Sequence, residues 1–156
     1  MTVPVIVEII FRFIPSALLV FGFIEINLTA KYNKYIQFIA MNTVYLFAGL
    51  FGQYMREKYK LEFLDFVLAV ALVLIYSIFF HTDAVGYRIF IGTLVSLSLI
   101  IFDTITTAVI FVIFPEFSFD IGHLTYPALL FADIDLIIYG ILMYFEHCII
   151  KRIHDR

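Results

Sequence analysis

Among the side chains that can carry charge or hydrogen bonds inside the long apolar stretches of this 156-residue chain, eight are candidates for chemistry: Glu8, Arg12, Asp103, Thr107, Asp133, Asp135, Tyr139 and Glu146. Glu8 and Arg12 are four apart, which places them on one helix face, where a lone charge surrounded by hydrocarbon would cost several kcal/mol. The spacing predicts an internal ion pair turned toward other helices, with contact between Arg12 and a ligand carboxylate or lipid phosphate as the alternative. An arginine one turn away favours the ionised carboxylate, so Glu8 is poorly suited to proton coupling. Asp103 sits in the middle of an apolar run, with Thr107 on its face and Ser96 and Ser98 nearby. Interhelical hydrogen bonding explains such a polar side. Pairing with Arg12 or gating of an ion are the functional alternatives.

Asp133 and Asp135 are two residues apart and point about 200° apart on a helix, so they cannot act as a carboxylate dyad. Asp135, Tyr139 and Glu146 share a face, whereas the two aspartates, like Asp65, fall near the edge of an apolar run and suit a headgroup region. Signatures of specific enzymes are missing. There is no H-E-x-x-H and no G-x-S-x-G. His147 and Cys148 are neighbours and diverge by about 100°, a poor base–nucleophile pair. His81, His123 and His154 fall outside the apolar runs, leaving no inward histidine pair for a haem. Every lysine lies in a joint or the tail. The expectation is a non-enzymatic protein without cofactor or metal.

The elements that must position these residues are five apolar stretches: 3–26, 35–55, 61–80, 89–114 and 124–150. Hydrophobic residues make up 63% of the chain, against about half in soluble domains, so most of it must be solvated by lipid or by its own helices. A run of about 20 apolar residues crosses the hydrocarbon layer, and backbone polar groups there must be satisfied locally. The predicted fold is therefore an all-α, polytopic membrane protein with five transmembrane helices packed as a small bundle, and no soluble domain. Pro15 and Gly22 predict a kink in the first stretch, which carries Glu8 and Arg12 and is not expected to be a cleaved signal peptide. The joint Arg56-Glu57-Lys58-Tyr59-Lys60 predicts a tight turn and an antiparallel hairpin of the second and third spans. A sixth partial crossing over 117–124 is the alternative topology.

A net charge of −3 and the lack of a basic stripe exclude a nucleic-acid partner, and the single cysteine, Cys148, excludes an internal disulfide. Tryptophan is absent, so interfacial anchoring falls to tyrosines such as Tyr32, Tyr35, Tyr54, Tyr59, Tyr87 and Tyr126. Five spans put Lys31, Lys34, Arg88 and the tail Lys151, Arg152 and Arg156 on one side, with Arg56, Lys58 and Lys60 on the other. The excess of positive charge predicts a cytoplasmic C-terminus in a cell membrane.

In layout the chain resembles the multi-span input regions of peptide-pheromone receptor histidine kinases. The shared features are a charged loop after the first span, Asp103 in a long penultimate helix, and the basic exit Lys151-Arg152-Ile153-His154-Asp155-Arg156. In size and span count it is also similar to the short integral subunits of bacterial shape-determining assemblies. The first likeness implies a sensor or receptor module; the second, an assembly subunit. With polar positions at Asn42, Thr43, Ser96, Thr106, Thr107 and Tyr139, the expected mode of action is association with other membrane proteins or with copies of itself in the bilayer. A receptor module, and a small transporter or channel subunit using Glu8, Arg12 and Asp103, are the alternatives.

Overall fold

The computed structural model describes residues 5–8, 10–11, 14–59, 64–113 and 126–154. Among the described residues the chain is all-α. A single turn, α1 (Val5–Glu8), is followed by α2 (Ile14–Asn27), α3 (Lys34–Tyr59), α4 (Leu64–Phe80), α5 (Val85–Ile113) and α6 (Tyr126–His154). Of the first predicted span, 3–26, the described residues 5–8, 10–11 and 14–26 are helical. Pro15 lies at the described start of α2, beside residues 12–13, which fall outside the described residues. The expected turn at 56–60 is corrected: α3 runs on through Tyr59. Arg, Glu and Lys are good helix formers, so a charged joint does not by itself end a helix. Similarly α5 begins at Val85, inside the predicted joint, and α6 carries the tail as helix to His154. The segment 117–124, where a sixth crossing was the alternative, lies outside the described residues.

Two of these helices contain segments long and apolar enough to cross a membrane, Lys34–Gly52 and Val85–Val109. Among the described residues two further apolar segments are shorter, Val67–Phe80 and Ile14–Asn27, at 14 residues each. A length of 14 residues reaches only about 21 Å as helix.

The buried residues of α2, Ser16, Ala17, Val20, Phe23 and Ile24, recur every three or four positions and form one stripe. That stripe makes α2 the central strut: it lies against α3, α5 and α6, while α3 packs along α4, α4 along α5, and α5 against α6. The core where they meet contains Val20, Phe23, Ile24, Met41, Val73, Tyr76, Ile91, Val95, Tyr139 and Met143. Buried Gly92 sets the approach of α5 to α4, because a Cβ there would lie 2.8 Å from Ser77 Oγ and 3.1 Å from Leu74 Cδ2. Gly92→Val should therefore destabilise the bundle by about 2 kcal/mol through overpacking. Gly22→Ala, which meets nothing within 4 Å, should be neutral or mildly stabilising. Equilibrium unfolding in mixed micelles reads both, and an unchanged Gly92→Val midpoint would disprove the close approach.

The α2–α3 and α4–α5 joints clasp each other. Ala30 and His81 form an isolated antiparallel bridge. Lys31 N–H donates to the Phe80 carbonyl at 2.9 Å, and Thr82 N–H to the Thr29 carbonyl at 3.0 Å. Asp83 accepts from the Thr29 backbone N–H at 2.6 Å and from its hydroxyl at 3.1 Å. Asn33 caps α3 through its side-chain oxygen, which accepts from Tyr35 N–H at 2.9 Å. The last turns of α6 join this end of the bundle, since His147 Nδ1 lies 3.0 Å from Asn27 Oδ1. The two joints and the α6 end are thus on one side, as an alternating up-and-down course requires.

Candidate functional site

The residues that this clasp gathers are Glu25, Gln37, Tyr76 and His81. Glu25 stands in the last turn of α2 and Gln37 in the first turn of α3; Tyr76 is on α4, and His81 follows its last residue. One carboxylate oxygen, Glu25 Oε1, is their common partner. It lies 2.8 Å from His81 Nε2 and accepts from the Tyr76 hydroxyl at 3.2 Å and from Gln37 Nε2 at 3.3 Å. Gln37 Nε2 also donates to the Phe80 carbonyl at 2.9 Å. The side chain of His81 is wholly buried, whereas Glu25 keeps 17% of its side chain exposed, so the pair reaches solvent through the carboxylate.

The second ring nitrogen of His81, Nδ1, lies 3.3 Å from the Ser77 carbonyl, which can only accept. Both imidazole nitrogens therefore face oxygen acceptors. The ring is gripped by Tyr76, edge-on at 5.4 Å, and Tyr76 stacks on Phe80 at 4.8 Å. Arg88 caps the end of α4, its Nη1 donating to the carbonyls of Ile78 and, at 2.9 Å, His81. The arrangement binds three helices together.

A second polar seam joins α5 and α6. Ser98 Oγ donates to Glu146 Oε1 at 2.6 Å, and the buried Tyr139 hydroxyl donates to the Val95 carbonyl at 3.0 Å. The predicted shared face is thus present for Tyr139 and Glu146, both turned toward α5. Asp133 and Asp135 are half-buried on α6, and Thr107 is half-exposed on α5. Arg12 and the side chains of Glu8, Asp65 and Asp103 lie outside the described residues. Of the hydroxyl positions named above, Ser96 donates to the Gly92 carbonyl of its own helix at 2.8 Å. Among the described residues, no group of three or more His, Cys, Asp or Glu side chains is placed to hold a metal ion.

Glu25, Gln37 and Tyr76 went unremarked in the sequence because each reads as part of the end of an apolar run, and His81 was read only as a joint residue. One signal pointed to them. The joints 27–34 and 81–87 fall on one side under five spans, so the polar residues flanking them must converge. In comparison with known proteins, the chain matches no protein-family model, no curated protein and no solved structure.

Proposed function

We propose that this chain is a five-span, non-enzymatic membrane protein that acts by associating with other membrane proteins. Two tyrosine–lysine girdles on α3 support the membrane placement. At one end Lys31 and Lys34 lie over the rings of Tyr32 and Tyr35, at 5.3 and 5.5 Å. At the other, Lys58 lies 5.3 Å from the rings of both Tyr54 and Tyr59. Tyr35 and Tyr54 are separated by about 28 Å of helix, close to the thickness of the hydrocarbon layer, and aromatic and lysine anchors belong at its two surfaces. Between the girdles, large apolar side chains point outward: Ile39, Phe47 and Leu50 on α3, Leu97, Ile101 and Ile105 on α5, and Ile137, Ile141 and Phe145 on α6. Contiguous outward apolar side chains of this kind suit a lipid surface.

The observation that carries the associative reading is an outward polar pair at mid-depth. Asn42 is half-exposed and Thr43 exposed, at the centre of the segment Lys34–Gly52. Lipid offers these groups no hydrogen bond, whereas a neighbouring protein does. Purification from native membranes, followed by mass spectrometry, should return the chain with a stoichiometric membrane-protein partner or a second copy. A chain that purifies alone and moves a solute in proteoliposomes would replace this reading with a transporter.

The clasped end carries Lys31, Lys34, Arg88, Lys151 and Arg152, and the positive-inside rule puts it in the cytoplasm. A reporter fused after Arg156 should be active only in its cytoplasmic form. Activity of the exported form would overturn the five-span orientation.

A further inference from the structure

We infer that the outward face of α3 centred on Ile39 and Leu46 is the seat for a second copy of this chain, lying parallel to the first. The inference rests on the membrane placement proposed above. On a helix of 100° per residue, Tyr35, Ile39, Leu46 and Leu50 fall within one sector of about 60°, flanked on one side by Asn42 and on the other by Thr43. Tyr35 is 68% exposed, Ile39 63% and Leu50 40%, and Leu46 between them is half-exposed, so among the described residues the sector is largely open.

Three features select a second copy over lipid or an unrelated helix. The Asn42 amide donates to the Phe38 carbonyl of its own helix at 2.8 Å. That bond uses one amide hydrogen and leaves the other, with Oδ1, making no hydrogen bond among the described residues. A carboxamide and a hydroxyl are each both donor and acceptor, and a two-fold axis along the membrane normal through this sector sets Asn42 of each copy against the Thr43 flank of the other at nearly the same depth. Thr43, whose hydroxyl likewise makes no hydrogen bond among the described residues, can add a second donor and acceptor on the far flank. Half-exposed Gly49, seven residues beyond Asn42, lets the two backbones approach where a larger side chain would hold them apart. The parallel arrangement also keeps Lys34 and Lys58 of the two copies at matching membrane surfaces. An antiparallel one would offset the amides and reverse one copy.

Disulfide trapping tests the seat in the full chain, in its own membranes, on a Cys148→Ser background. Ile39→Cys and Leu46→Cys should each give a covalent dimer under mild oxidation, and Leu97→Cys, exposed on α5, should not. Asn42→Leu, which suits lipid and leaves the α3 packing face intact, should weaken dimerisation about tenfold in nanodiscs, with Asn42→Gln retaining most of it. Oligomers that form without trapping at Ile39 or Leu46, or that ignore Asn42→Leu, overturn the α3 seat while leaving association through another face standing. A wild-type chain that is monomeric in nanodiscs, and purifies from its membranes without partners, removes both.

Discussion

Glu25→Leu is expected to lower the stability of the bundle by about 3 kcal/mol, because it leaves the buried His81 Nε2 without its carboxylate and takes from Tyr76 and Gln37 one of the two acceptors that each has. His81→Phe should cost less, since the Glu25 carboxylate keeps Tyr76 and Gln37 as donors and is partly open to solvent. The informative quantity is the double-mutant cycle. Removing both partners leaves no uncompensated charge, so Glu25→Leu/His81→Phe should be at least 1 kcal/mol more stable than the sum of the single losses predicts. Glu25→Gln keeps an acceptor oxygen and should fall between wild type and Glu25→Leu. Equilibrium unfolding in mixed micelles supplies all four values. Strict additivity would mean that the 2.8 Å contact between Glu25 and His81 carries no coupling.

The second large effect concerns α6, which is held to the rest through few side chains. Tyr139 and Met143 are its buried contributions to the core. Tyr139 is 1% exposed and meets Phe102 at 5.9 Å between ring centroids. Tyr139→Ala should cost about 3 kcal/mol through the cavity left between α6 and α5. Most of that loss is dispersion contact, because lipid tails are as apolar as the core and the water-exclusion contribution is small within a bilayer. Tyr139→Phe keeps the ring and loses only the hydrogen bond to Val95, so about 1 kcal/mol is expected. Protease protection of the α6 end, read beside unfolding, should fall for Tyr139→Ala alone. Equal losses for Ala and Phe would show that the hydroxyl, and not the ring, anchors α6.

Much of the helix order was legible in the sequence because apolar run length and the need to satisfy backbone polar groups leave few choices. The ends were less so. Residues 56–59 read as a polar joint, yet Arg56, Glu57 and Lys58 favour helix and continue α3. The clasped end followed from counting spans, and the Ala30–His81 bridge is its physical expression. What periodicity could not supply was which faces meet. Glu25 and His81 are 56 residues apart, and only the packing of α2 against α3 and α4's end brings them together. Tyr139 and Glu146 were recognisable because both lie on one helix, where spacing alone fixes their common direction. The same limit explains Asn42: its type marked it as polar, but its outward position depends on where α4 and α2 cover α3.

The proposed function is that of a small helical bundle acting in the membrane through contact with other chains. Its most direct test is the mass of single particles extracted from native membranes into lipid nanodiscs without detergent exchange. The expected result is a particle containing two or more protein chains, stable on dilution and at high ionic strength. A particle holding one chain alone across the same range, and moving a solute when reconstituted, would contradict it.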